Sequence, residues 1–453
     1  MNVALAIFLP LMKSKALQYI DNSPLVLFRI LLGFLLACEA FGALLTGWVR
    51  ENMVDVKMTF SHIHMDFLQL LVGPQMYVYF ALMGLAGVGV MLGYRYRLSI
   101  LVYTILWAGA YFMQKTSYNN HYYMLLIICI YMCFLPANRY ASLDVRSGRV
   151  KEENVMPQYY SWIFIFQVSL LYLYGTLAKL YPDWLDGTFV SIMYANANIP
   201  TVLQELFSGK VFSIAISYLG IVFDGLVIFL LFFKRTRTLG VIASLVFHLF
   251  NSFTLQIGIF PYFALCFAVF FYSPEQIRAR FFKRKPKVEV VDDETVNDRS
   301  TVFKLSQASV VFLMLFMFVQ LILPLRHYFI KGDVLWTEEG HRLSWRMMLR
   351  SRSGYIDYII VDKKTKEQHS YPLDEVLSRK QLNRLTSPDM IWQMAQVIKS
   401  DFASRGIDVS VYAESYISIN GREFSQFVDP KVDLGAIKWD YFKHCEWILE
   451  RPF

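Results

Sequence analysis

Leu170-Leu-Tyr-Leu-Tyr-Gly-Thr-Leu-Ala-Lys-Leu-Tyr-Pro-Asp-Trp184 closes a long apolar run and sets one lysine, Lys179, inside it. An ammonium at that depth costs about 3 kcal/mol or more unless a partner or a cavity receives it, so Lys179 is a functional candidate. The simpler alternative is that its stem lies along the lipid tails while its head pairs with Asp183. Tyr172, Gly175, Thr176 and Lys179 follow i, i+3, i+4, i+7 spacing and form a semi-polar stripe on an otherwise oily helix. Such a stripe faces a bundle interior rather than lipid. Desolvation there favours the neutral amine, the form that acts as a base.

The surrounding composition says what kind of chain carries this stripe. Of 453 residues, 56% are hydrophobic, 17% aromatic and only 18% charged, and the mean hydropathy is +0.38. These values exclude a disordered or nucleic-acid-binding chain and indicate a polytopic membrane protein. Apolar segments of roughly spanning length lie at 25–47, 75–93, 98–114, 121–136, 160–181, 211–233, 239–256, 259–273 and 304–325. About nine transmembrane helices are therefore expected, in a mainly α fold. The net charge of +8 is read by position. Arg95 and Arg97, then Arg139 to Lys151, then Lys234 to Arg237, then Arg278 to Lys287 fall in alternate loops. By the positive-inside rule this puts the N-terminus in the cytoplasm and everything after the last span outside. The opening stretch 1–10 is apolar but too short to span, and no signal-peptide cleavage site follows it. Four of the five cysteines lie in apolar runs, so no disulfide framework is expected.

The polar link 274–303, with acidic Asp292-Asp-Glu294, reads as a flexible connector. From Arg326 the composition becomes that of a soluble domain. Strand alternation at Tyr355 to Val361 and Val409 to Ile419, a hairpin turn at Asn420-Gly421 and helical spacing over Pro388 to Phe402 predict a small α+β unit. The expected division is thus 1–325, the membrane bundle, and 326–453, an extracytoplasmic domain.

Three further polar groups fall near the ends of spans. Lys115-Thr-Ser-Tyr-Asn-Asn-His-Tyr-Tyr123 places Asn120 and His121 at the junction of the third and fourth spans. Phe247-His-Leu-Phe-Asn251 puts His248 and Asn251 on one face of the seventh. Satisfied packing is the alternative for each histidine. His62-Ile-His-Met-Asp66 lacks a further ligand at sensible spacing and reads as a loop feature, so no metal is predicted. Arg350, Arg352 and His341 flank Ser344-Trp-Arg-Met-Met-Leu349; such arginines bind either an acidic substrate or anionic headgroups.

Taken together these stretches resemble the vitamin K-dependent γ-glutamyl carboxylase family. The resemblance rests on Lys115 to Tyr123, Ala137-Asn-Arg-Tyr140, Ala178-Lys-Leu-Tyr-Pro-Asp-Trp-Leu-Asp-Gly187, Phe247-His-Leu-Phe-Asn-Ser252, Ser344 to Arg352, and Val411 to Asn420 followed by Val428 to Asp433. In order and in register, they cover nearly the whole chain. The resemblance implies a membrane enzyme that uses a reduced vitamin K of menaquinol or phylloquinol type, with O2 and CO2, and no metal. A lysine at the position of Lys179 would deprotonate the hydroquinone, and oxygenation to the epoxide would pass through a base strong enough to take a γ-proton from glutamate. The carbanion adds CO2. His121 is implied in the carboxylation half. Asn120, His248, Phe260, Met347, Met348 and Ser344 are implied around the quinone, and Arg352 and His341 on the glutamate side. The implied partners are membrane lipid, a lipid-soluble quinone and a glutamate-containing exported peptide or protein.

The sequence also departs from that pattern. Animal members run on beyond the equivalent of Phe453 into a region that helps grip a propeptide. Their disulfide cysteines have no counterpart, His341 replaces a tyrosine, and a glutamate-side arginine falls on Ala195. A prokaryotic relative in a cytoplasmic membrane is the expectation. Two alternatives stand beside the carboxylase: a quinone epoxidase without carboxylation, and a non-catalytic transporter or lipid-binding protein.

Overall fold

The computed structural model describes residues 18–288 and 305–451. The opening stretch 1–10 and the acidic Asp292-Asp-Glu294 lie outside these. The apolar segments are helices: α1 (Ser23–Leu45), α2 (Gln75–Leu92), α3 (Tyr96–Met113), α4 (Asn120–Phe134), α5 (Tyr159–Ala178), α6 (Lys210–Phe232), α7 (Arg237–Leu255), α8 (Phe260–Phe270) and α9 (Gln307–Ile322). Among the described residues seven are long and apolar enough to cross a membrane, the last of them running on through Phe329, rather than the nine expected. The shortfall is α4 and α8. Leu135 is extended before Pro136, because the proline ring disfavours a helical predecessor, and this ends α4 after 15 residues. Even so, α4 lies antiparallel beside α3. Trp107 Nε1 donates to the Tyr122 carbonyl at one end (3.1 Å), and the Tyr96 hydroxyl donates to the Met132 carbonyl at the other (2.7 Å).

Small residues set the closest contact in the bundle. A methyl group added at Gly33 on α1 would lie 2.2 Å from the Met91 backbone nitrogen, and one at Gly87 on α2 would lie 2.7 Å from that of Ala37. Two helices approach this closely only where side chains are missing, the usual device in membrane bundles. Polar side chains inside the bundle find each other. Tyr131 Oη donates to Gln167 Oε1 (2.9 Å) and Tyr123 Oη to Gln320 Oε1 (2.8 Å). Arg29, fully buried on α1, donates to the carbonyls of Ala137, Tyr140 and Ala141.

The basic loops meet at one end. The Asp144 carboxylate accepts from the Arg95 and Tyr96 amides, and Lys285 Nζ is held by Asp21, Asn22 and Ser23. A two-stranded ribbon, β1 (Tyr19–Asp21) with β2 (Val155–Pro157), closes the same end. At the opposite end stands a four-stranded antiparallel sheet, order β4-β3-β5-β6, built from β3 (Arg352–Asp362), β4 (Gln368–Ser370), β5 (Val409–Ile419) and β6 (Ser425–Gln426). β3 and β5 pair over their full lengths, from Arg352 opposite Ile419 to Asp362 opposite Val409. The turn at Asn420-Gly421, both at positive φ, leads into β6 as the alternation predicts. Helix α10 (Pro388–Ser404) covers one face, burying Ile391, Met394 and Ile398 against Tyr358 and Val411.

The sheet end is seated on the bundle rather than tethered above it. Phe60, from the α1–α2 loop, is buried in the sheet core, whereas Trp345 is buried in the bundle core. Gln381 Nε2 reaches the Met58 carbonyl (2.7 Å), and Lys380 Nζ reaches Asn52 Oδ1 (2.6 Å).

Candidate active site

α5 ends just before Lys179 because the chain must turn at Pro182, whose ring forces Tyr181 into an extended conformation. Lys179 is thereby the residue that caps the helix, buried to 8% exposure. Its ammonium neither snorkels nor pairs with Asp183. It donates to Oδ2 of Asp224, itself buried on the facing helix α6, and lies 5.4 Å from the centre of the Trp184 ring. Asp183 is taken by the hairpin turn of the sheet, accepting from Asn420 Nδ2 (2.7 Å) and from Arg422.

The semi-polar stripe faces α6 and α7. Tyr172 Oη is 2.9 Å from His248 Nε2, while the other ring nitrogen of His248 is buried with no partner. Thr176 packs against Gly225 on α6. Gly175 lets the groups of this region pack closely: a methyl group built there would lie 3.3 Å from Asp224 Oδ2, 3.7 Å from Met347 Cε and 3.9 Å from Lys179 Nζ. Met347 therefore reaches the lysine–carboxylate pair from the segment that follows the last span.

Aromatic rings wall the neighbouring space. His121 stacks on Phe260 with ring centres 3.7 Å apart, and Phe260 meets His248 edge-on at 5.9 Å. His121 and Phe260 line a cavity of about 460 Å³ together with Trp48, Leu125, Ile257 and Phe263; Lys179, Asp224 and Met347 are not among its walls. Asn120, starting α4, donates its amide to the Arg346 carbonyl (3.1 Å) and accepts from Tyr118 Oη (2.9 Å), which joins the bundle to the post-span segment.

Not every expected residue joins this group. Ser344 is buried, but its hydroxyl donates to the Gly340 carbonyl (2.5 Å) within its own loop. Met348 is exposed and at positive φ. Arg352 gives its donors to the Thr386 and Trp336 carbonyls and lies over the Phe427 ring. His341 Nδ1 faces Arg350, which is itself paired with Glu338. Burial would raise the Glu338 carboxyl, but Arg350, Arg352 and their neighbours hold it well below the usual carboxylate range. Burial, with Arg350 beside it, drives His341 well below the usual histidine range, so it is neutral at pH 7. Neither Arg350 nor Arg352 is open to lipid headgroups.

Other groups are structural. Asp389 receives Arg342 through two bonds (3.0 and 3.2 Å) and Lys115 at 3.0 Å. Burial lowers the Lys115 ammonium to about 8, opposed by Asp389. His62 is packed among Tyr111, Phe112 and Tyr118, and Asp66 accepts from Ser61 and Gln393. Among the described residues, no three His, Cys, Asp or Glu side chains converge as a metal site would need.

Two acids on spans were missed in the sequence: Asp224, the partner of the lysine, and Glu39. The signal was available, since a lone carboxylate within an oily helix is as anomalous as a lone lysine.

Fold and site define a multi-pass helical membrane protein with a buried lysine–carboxylate pair beneath a small sheet. Residues 17–275 match the family model described as the HTTM domain, and residues 305–452 match that described as the vitamin K-dependent gamma-carboxylase, lumenal domain. The chain belongs to the vitamin K-dependent gamma-carboxylase family. No solved structure matches it.

Proposed function

We propose that the protein oxygenates a reduced quinone of the vitamin K type and couples this to carboxylation of glutamate in an exported peptide or protein. The balance is hydroquinone plus O2 to epoxide plus water, together with glutamate plus CO2 to γ-carboxyglutamate. The division at residue 325 separates the quinone-binding bundle from the substrate-facing domain, and the basic loops put the sheet outside the cytoplasm.

The observation that carries the reading is the buried Lys179–Asp224 pair, flanked by Gly175 and by Met347. The residues fit an aromatic ring bearing hydroxyl groups: flat apolar walls from Phe260 and Met347, the His121 ring, and an unpartnered His248 nitrogen. In this reading the quinol supplies the reducing equivalents and, once oxygenated, the strong base. The Lys179 ammonium first passes its proton to Asp224, and the neutral amine then takes the hydroxyl proton beside the protonated Asp224. Asn120 fixes the post-span loop that carries Met347, His121 serves the carboxylation half, and the buried setting excludes water.

A second reading, epoxidation without carboxylation, gains from one observation: Arg352 and His341, the expected glutamate-side residues, are occupied by protein partners. Purified protein incubated with vitamin K hydroquinone, an acidic peptide and labelled CO2 tests both. Epoxide formation that Lys179→Ala abolishes, with label in the peptide, is the expected result. Epoxide without label leaves the second reading, and no epoxide from wild type overturns both.

A further inference from the structure

Arg346 stands beside Met347 and is buried to 8% exposure, yet among the described residues no carboxylate lies within ion-pair distance of it. Its only side-chain partner is His327 Nε2 at 3.4 Å, and its Nε–H has none. The acids around it are taken. Glu338 holds Arg350, Asp333 accepts from the Leu335 amide and faces Arg451 at 3.7 Å, and Asp183 holds Arg422 and Asn420.

Two more donors in the same region lack partners. Arg350 Nε–H has none, although its Nη2 is bonded to Glu338. The Tyr181 hydroxyl, two residues past Lys179, is buried beside the Asn420 side chain, which bonds Asp183 and the Ser351 N–H and offers Tyr181 a donor but no acceptor, so among the described residues the Tyr181 O–H has nothing to donate to. Arg346 interacts electrostatically with both Arg350 and Tyr181. A buried guanidinium with no counter-ion is a net cost, and that cost is removed by an anion with several acceptor oxygens.

We propose that Arg346, with Arg350 and Tyr181, forms a subsite for a carboxylate-class anion at the outer end of α5, next to the Lys179–Asp224 pair. Two sources share that chemistry: the side-chain carboxylate of a glutamyl substrate, and bicarbonate. The subsite rests on the functional reading above, and moves the carboxylate anchor from Arg352 and His341 to a guanidinium that is still unpaired.

The test is binding rather than turnover. Thermal unfolding of the purified, detergent-solubilised protein is followed with N-acetyl-glutamate amide, with its glutamine counterpart and with sodium bicarbonate, at matched ionic strength. The expected result is stabilisation by the glutamate compound, by bicarbonate or by both, and none by the glutamine compound. Arg346→Met should weaken the effective anion about 10- to 100-fold, the loss expected for one charged hydrogen-bonding group, and Arg346→Lys should retain part of it. Because Arg346→Met removes an unpaired buried charge, its ligand-free unfolding temperature should not fall. A response to the glutamate compound alone assigns the substrate side chain, and one to bicarbonate alone assigns the inorganic ion. No response to either, or an undiminished response in Arg346→Met, overturns the proposal. Failure of the epoxide assay with this response intact overturns the functional reading only.

Discussion

Asp224→Asn isolates what the lysine–carboxylate pair does. Lys179 and Asp224 are 8% and 6% exposed, so the substitution keeps the shape but leaves an ammonium buried against a neutral amide. Removing one member of a buried pair costs about 3–5 kcal/mol, whereas replacing both by apolar groups is often neutral. Asp224→Leu and Lys179→Met should each lower the unfolding temperature, and the double variant Lys179→Met/Asp224→Leu should recover most of the loss. That non-additivity is the signature of direct coupling. Catalysis should behave differently: all three variants lose quinone epoxidation by about 10²- to 10⁴-fold, the range for removing a positioned acid–base group. Measuring stability and epoxide formation on the same preparations separates the two effects. An Asp224→Asn protein as stable and as active as wild type would show that the pair neither holds the helices nor serves the base.

Other variants probe the surroundings. Gly175→Ala brings a methyl group to 3.3 Å from Asp224 Oδ2, tighter than an ordinary contact, so the carboxylate must shift and the KM for hydroquinone should rise; Gly175→Val should raise it further in a protein that still folds. At Gly33 a methyl group meets the Met91 backbone at 2.2 Å, so Gly33→Ala should destabilise by about 1–3 kcal/mol; Gly42→Ala, with nothing within 4 Å, is the control and should not. Burial, followed by Arg342 and Lys115, holds His62 at about 3 in the folded protein, while an unfolded histidine takes its proton near pH 6.5. The unfolded chain therefore binds more protons across that window, and stability falls as pH drops through it. His62→Phe should lose less thermal stability than wild type between pH 7.5 and 5; an equal loss would place the sensitivity elsewhere.

The sequence carried the helices, the sheet and the family resemblance because each rests on local pattern: oily runs, β alternation, Asn420-Gly421. The stripe on α5 was equally readable, since four residues at helical spacing share a face wherever the helix goes. What the stripe faces was not readable. Asp224 is 45 residues from Lys179, and pairing across two spans depends on packing that no local pattern encodes. The protein partners of Arg352 and His341 were not readable for the same reason. Residue type and position suggested anion binders, but Thr386, Trp336 and Glu338 surround Arg352, and Arg350 faces His341. Arg346 escaped notice because an arginine beyond a span looks solvated until its burial is known. The count of nine spans is not matched by length, because proline ends α4 after 15 residues and α8 is shorter still.

The brevity of α4 has a consequence for access. Its 15 residues reach about 22 Å at 1.5 Å per residue, against a hydrocarbon layer of about 30 Å. Asn120 and His121 open this helix, and Tyr122 is bonded by Trp107, six residues before α3 ends at Met113, so they sit several ångströms below that end of α3. A lipid-soluble ring would meet them while still immersed among acyl chains, and would not have to climb into the headgroups. A membrane thickened by longer chains should bury that notch more deeply, making turnover sensitive to bilayer thickness as well as to the chemistry of the ring.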